Sequence, residues 1–281
     1  MSKQPLIGVF DSGVGGLSVW REIVRLLPAV STLYLADQAH VPYGSRSLEQ
    51  VEALTHAAVA WLLEQGADVI VIACNTASAA ALNSLRQRWP HVPIVGMEPA
   101  VKPASQDTRT GHVGVLATPG TLRADRFSHL VERFANGVHV HTLMGSGLVA
   151  MIEAGQLDGP VVENRIRQIM APVHAYPIDH LVLGCTHFPF LADALQNVLG
   201  PQVRLVDPAP AVARQTQRVL QKNNYLFDSR FNNISWHFVT TGNLSDFRNL
   251  ATTLIGEYLA APAHPVMFRH VTLNGSDAHV L

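Results

Sequence analysis

The sequence predicts an α/β fold built from two related units, each a parallel sheet flanked by helices, with a ligand cleft between them. Three observations carry this expectation. Short apolar runs alternate with longer segments of helical apolar spacing. The second half of the chain repeats the first in the same order. The only two cysteines, Cys74 and Cys185, fall at equivalent points of that repeat.

In chain order, Leu6–Phe10, Thr32–Ala36, Val69–Ala73 and Pro93–Val95 read as buried strands of the first half. His112–Leu116, Val138–Leu143, His180–Gly184 and Val203–Val206 do so in the second. Helical spacing is seen over Leu17–Leu27, Leu48–Gln65, Ser78–Trp89, Leu122–Phe134, Gly159–Ala175 and Pro189–Leu199. Strand and helix in alternation mean a parallel sheet covered on both faces. Trp236–Thr240 and Phe247–Leu259 add a final strand and helix. The polar, Asn-rich stretch Gln221–Asn233 reads as a mobile linker, and residues 261–281, with Pro262 and Pro265, are assigned no role.

The repeat is explicit. Ile7-Gly8-Val9-Phe10-Asp11-Ser12 falls on Val113-Gly114-Val115-Leu116-Ala117-Thr118 at an offset of 106. Asp68–Cys74 falls on Asp179–Cys185 at an offset of 111, and the same offset places Ile94-Val95 on Leu205-Val206 and Pro99-Ala100-Val101 on Pro210-Ala211-Val212. Two generic α/β halves account for the strands but not for coincident cysteines.

Composition narrows the function. A chain of 281 residues, nearly half apolar and 15% charged, has material for two folded domains. A net charge of −1 leaves no electrostatic footprint for nucleic acid or an anionic membrane. No run approaches the ~20 apolar residues of a membrane span, and Met1–Pro5 runs into Leu6–Phe10 without the layout of a secretory signal, so a cytoplasmic protein is expected. Two cysteines make no disulfide framework and neither has a metal-ligand spacing, so thiols and no metal are expected. The three lysines, Lys3, Lys102 and Lys222, stand away from strand ends, which leaves no candidate for a pyridoxal phosphate Schiff base.

Each cysteine follows an apolar strand and precedes a polar pair, Asn75-Thr76 or Thr186-His187. Ligands of open parallel sheets bind outside the carboxyl ends of the strands, so two equivalent half-sites place two thiols on opposite sides of one cleft. A core cysteine belongs inside the apolar run rather than at its polar exit. Two bases on opposite faces of a carbon suit inversion of a stereocentre: one removes a proton, the other returns one. A thiol with an ordinary pKa of about 8.5 comes within reach of neutrality once a neighbour stabilises its thiolate. Asp11 and His187 are the candidate proton-handling neighbours by position. The Asp11–Gly16 segment lacks a nucleotide-loop pattern and reads as a tight turn whose N–H groups can hold a carboxylate. Ser12, Asn75, Thr76 and Thr186 supply neutral donors and acceptors for a small zwitterion. By itself, Pro42-Tyr43-Gly44-Ser45 is a turn.

Gly8–Leu17, Pro42-Tyr43-Gly44, Ala73–Ser78 and Gly184–Pro189 together resemble the glutamate racemases of the aspartate/glutamate racemase family, in that family's order and over most of the chain. The resemblance implies cofactor-independent interconversion of L- and D-glutamate, supplying D-glutamate for peptidoglycan. It implies two α/β domains of pseudo-twofold symmetry, the chain returning to the first: residues 1–98 with 209–260, and residues 99–208. It carries Cys74 over as the base for D-glutamate with Asp11 beside it, and Cys185 as the base for L-glutamate beside His187. Asp11, Ser12, Tyr43, Gly44, Asn75, Thr76, Thr186 and His187 would line the substrate site, with Glu153 and Thr118 as further family positions. Homodimers are common in the family. Three rival readings stand beside this one: a related two-cysteine racemase or isomerase acting on aspartate, a hydantoin or maleate; a thiol hydrolase using His187; and a non-catalytic amino-acid-binding protein.

Overall fold

The structure, a computed structural model, describes residues 4–225, 234–260 and 264–273. The apolar runs of the first half form β1 (Leu6–Asp11), β2 (Ser31–Ala36), β3 (Val69–Ile72) and β4 (Ile94–Val95). Those of the second form β5 (His112–Ala117), β6 (His139–Met144), β7 (His180–Gly184) and β8 (Arg204–Val206). The strand orders are β2-β1-β3-β4 and β6-β5-β7-β8, the same arrangement twice, and the pairing is parallel throughout. The repeat extends to register: Ile7 lies opposite Val69 as Val113 lies opposite His180, and Ile70 opposite Ile94 as Leu181 opposite Leu205.

Alternation along each strand divides the core. In β1, Ile7 and Val9 face one layer and Phe10 the other. The first layer holds α1 (Leu17–Leu26), α10 (Ala209–Lys222) and α11 (Leu244–Leu259); the second holds α2 (Leu48–Glu64) and α3 (Asn75–Arg88). In the second sheet, Val113, Val115 and Val182 pack under α4 (Val101–Asp107) and α6 (Asp125–Phe134). Leu181 and Leu183 pack under α8 (Gly159–Met170) and α9 (Ala192–Leu199). Short helices α5 (Pro119–Arg123) and α7 (Leu148–Glu153) lie beside the cleft. One contiguous apolar cluster runs from Trp20 and Val71 in the first half to Leu181 and Leu195 in the second.

Several boundaries differ from the apolar spacing. The helix expected from Ser78 begins at Asn75, because the Cys74 sulfur accepts the Ala77 N–H and caps it. The helix expected over Leu122–Phe134 is two, α5 and α6, parted by extended backbone at Ala124. Pro172 and Pro189 each lie in a 3₁₀ turn, Ala171–Val173 and Phe188–Leu191, where the spacing suggested α-helix. Residues 226–233 of the expected linker lie outside the described residues, as do 261–263 and 274–281 of the segment given no role. Within that segment, β10 (Val266–His270) pairs with β9 (Trp236–Thr240), which itself pairs with β2, widening the first sheet to six strands. Among the described residues, no helix is long and apolar enough to cross a membrane.

Aromatic packing fixes this extension. Trp20 of α1 meets Trp236 and Phe238 of β9 edge-on, with ring centroids 5.1 and 4.9 Å apart, and Phe238 stacks on Phe268 of β10 at 5.0 Å. The buried Trp20 indole donates to the Thr32 hydroxyl at 2.9 Å, so its one polar atom is satisfied. Trp20→Ala is expected to lower unfolding free energy by roughly 3–5 kcal/mol, read by urea denaturation; a loss below about 1 kcal/mol would show that the cluster does not hold the sheet.

Candidate active site

Parallel strands deliver their following residues to one edge of each sheet. Beyond β1, β3, β5 and β7 come Ser12, Cys74, Thr118 and Cys185, and all four line one cavity of about 210 Å³ between the halves. Tyr43, Gly44, Asn75, Thr76, Thr186 and His187 line it too, as do Gly145–Gly147, Val149 and Ala150. The space suits a small metabolite. The two cysteines are almost equally covered, Cys74 being 5% and Cys185 6% exposed, so a difference in their chemistry is sought in their neighbours.

Around Cys185 the neighbours form a relay. His187 Nδ1 lies 3.7 Å from the Cys185 sulfur, and Nε2 lies 2.7 Å from Glu153 Oε1 at the end of α7. The same Glu153 oxygen accepts the Val14 N–H at 2.8 Å, while Oε2 accepts the Gln38 amide at 2.8 Å. Burial alone would raise Glu153, but His187, Gln38 and Val14 outweigh it and hold the carboxyl below its ordinary value. Burial would likewise lower His187; its bonds to Cys185 and Glu153 outweigh that and raise it well above the usual histidine value. Backbone geometry makes the room. A Cβ on Gly15 would stand 2.2 Å from His187 Nδ1, and one on Gly13 would stand 1.9 Å from Glu153 Oε1.

Around Cys74 the neighbours differ. Its thiol donates to Ser12 Oγ at 3.8 Å. Burial, with the nearby Asp11 charge adding to it, pushes the thiol up to about 12, against the Ala77 N–H that favours thiolate. Asp11 is itself raised by burial. Asp11, expected among the substrate-site residues, stands behind the cavity rather than on it. Fully buried, it does not line the cavity, because its carboxylate is occupied by the Gly13 N–H and the Thr186 hydroxyl, both at 2.9 Å. Its influence on Cys74 is electrostatic.

The remaining expected residues converge. Thr76, from the first half, meets Thr118 at 2.9 Å and Thr121 at 3.3 Å, both from the second, forming a hydroxyl cluster across the cleft. Gly44 permits it, since a Cβ there would lie 2.6 Å from Thr118 Cβ. Tyr43 donates to Asp37 at 2.6 Å. Asn75 gives its amide N–H to the Met97 sulfur, and its Oδ1 is buried without a hydrogen-bond partner among the described residues. Sequence reading missed Asp37, Gln38 and Thr121, whose neighbourhood carries no motif, and the Gly145–Gly147 turn, which follows a strand as the other lining segments do. Among the described residues, no cluster of three or more His, Cys, Asp or Glu side chains is arranged to hold a metal ion.

Residues 7–216 match the sequence profile described as Asp/Glu/hydantoin racemase. The chain belongs to that family. It is an enzyme, an amino-acid racemase of the isomerase class. A glutamate racemase of Pseudomonas aeruginosa is 52% identical over 214 residues, covering 76% of this chain and 81% of its own. One from Ectopseudomonas mendocina is 47% identical over 255 residues, covering 91% and 96%. Among solved structures, Escherichia coli glutamate racemase in complex with L-glutamate and the activator UDP-MurNAc-ala is similar with a TM-score of 0.83 at 33% identity, over 97% of this chain and 100% of that one. The Francisella tularensis glutamate racemase in complex with D-glutamate has a TM-score of 0.82 at 26% identity, over 96% and 98%.

Two outcomes follow for this enzyme. With limiting iodoacetamide at neutral pH, Cys185 is expected to be alkylated before Cys74, since a raised pKa leaves less thiolate on Cys74; peptide mass spectrometry reads the order, and equal labelling would refute the asymmetry. Gly15→Ala is expected to displace His187 and cut turnover on the order of 10²-fold with the fold retained by circular dichroism, whereas unimpaired turnover would show that the ring has room to move.

Proposed function

We propose that the protein interconverts L- and D-glutamate by proton transfer at Cα between Cys74 and Cys185, without a cofactor, and supplies D-glutamate for peptidoglycan in the cytoplasm. The observation that carries this reading is the pair of thiols on one small cavity, delivered from equivalent strand ends of the two halves. The names of the relatives support glutamate as the substrate.

In the L-to-D direction, Cys185 is the base. The His187 ring, held by Glu153, lies against its sulfur and stands within reach to exchange a proton with it. Cys74, which burial and, after it, the Asp11 charge keep protonated, returns a proton from the other face. In the reverse direction the roles exchange, and the electrostatics that hold a proton on Cys74 at rest make it a strong base once it has given that proton up. Ser12, Tyr43, Gly44, Asn75, Thr76, Thr186 and His187 would bind the substrate. The unpartnered Asn75 Oδ1 suits its ammonium group and the hydroxyls suit its carboxylates.

Cys74→Ala and Cys185→Ala are each expected to reduce racemisation on the order of 10²–10⁴-fold, measured by polarimetry with no cofactor added; near-normal turnover in either variant would defeat the two-base mechanism. In heavy water, either enantiomer of glutamate is expected to gain deuterium at Cα. Deuterium entering aspartate or a hydantoin faster than glutamate, or isomerisation of maleate to fumarate, would transfer the proposal to a related substrate.

A further inference from the structure

Gln38 begins the 3₁₀ turn Gln38–His40 just after β2 and does not line the cavity, so it has no contact with a substrate there. Its side chain nevertheless has both ends engaged. The Gly242 N–H donates to Thr240 Oγ1 at 3.0 Å, and that hydroxyl donates to Gln38 Oε1 at 2.8 Å. The amide is therefore oriented with its N–H toward Glu153 Oε2, 2.8 Å away on the opposite side of the cleft. Glycine at 242 allows this approach, since a Cβ there would come within 2.9 Å of Gln38 Cβ.

We propose that Gln38 is a positioning residue for the Cys185 half of the reaction, holding the Glu153 carboxylate in the one rotation that keeps His187 against the sulfur. The terminal torsion of a glutamate is broad and nearly two-fold, so one anchored oxygen does not fix the plane of the carboxylate. Val14 and His187 both bind Oε1; among the described residues, Gln38 alone binds Oε2. Without it, the carboxylate turns about the Oε1 anchor and the Nε2 bond loses alignment. Gln38 forms no bond to Cys74, Ser12 or Asp11, so its effect falls on one of the two proton transfers.

The inference rests on the reading of Cys185 as a proton-transfer base in glutamate racemisation, and the test separates the two. The equilibrium constant between enantiomers is one, so a substitution changes kcat/KM equally in both directions and cannot expose one-sidedness. Deuterium isotope effects on kcat/KM can, measured with L-[2-²H]- and D-[2-²H]glutamate. Gln38→Met keeps the length of the side chain and removes the donor. Gln38→Glu keeps the shape and sets a carboxylate against a carboxylate. Expected losses in kcat/KM are about tenfold for Q38M and about 100-fold for Q38E, from the loss of one hydrogen bond to a charged group and then from repulsion as well. In both variants the isotope effect is expected to rise with deuterated L-glutamate and fall with deuterated D-glutamate, because the Cys185 step has become the slower. Lower kcat/KM with both isotope effects unchanged would overturn the proposal and leave Gln38 a structural residue. The mirror-image pattern would support one-sided positioning and overturn the pairing of L-glutamate with Cys185. Failure of the functional reading shows instead in the unsubstituted protein, as glutamate that is not racemised.

Discussion

Parallel pairing leaves the carboxyl ends of all strands in a sheet along one edge, and each half of this chain uses that edge to present a thiol. Everything else at the cleft depends on this constraint. β1 and β3 pair in the register of β5 and β7, so the residues that follow them emerge at equivalent heights. The apolar cluster shared by the halves then holds the two edges facing each other across a cavity of metabolite size. Neither thiol needs a special local motif to arrive there.

Equivalent positions do not give equivalent chemistry. Cys74 caps a helix and sits before a buried carboxylate, whose charge adds to desolvation in keeping the proton on the sulfur. Cys185 leads into a 3₁₀ turn that carries His187 beside it, and Glu153 keeps that ring charged. The proposed two-base reaction needs one group to take a proton and another to give one. Here the difference is set by neighbours contributed from other elements, while the duplicated scaffold stays symmetric.

Those neighbours also tie the halves together. Thr186 donates to Asp11, Ser18 donates to the Thr186 carbonyl at 2.9 Å, and Val14 and Gln38 both donate to Glu153. Each bond joins the first half to the second. In a buried setting an unpaired polar group costs about 1–3 kcal/mol, so separating the halves would expose several such groups to loss at once. The bonds that orient Asp11, Glu153 and His187 near the two thiols are thus bonds that join one half of the chain to the other.

The strands, the repeat and the place of both cysteines at strand ends were legible in the sequence, because apolar periodicity and chain order are local properties. Resemblance to a known family added the expectation that Asp11 and His187 attend separate thiols. Sequence alone did not reveal that Asp11 acts from behind the cavity wall, since burial depends on Gly13 and Thr186 closing over its carboxylate from two halves of the chain. Nor did it reveal the alignment of Gln38, Glu153 and His187: residues 115 and 34 positions apart along the chain meet only after both sheets are packed. The strand Val266–His270 was hidden for a similar reason, its place on the sheet being decided by Phe238 and Phe247, which pack against Phe268. Sequence determined which side chains reach the edge of each sheet. Tertiary structure decided the charge each one feels there, because electrostatic environment is a property of distance and burial rather than of chain order.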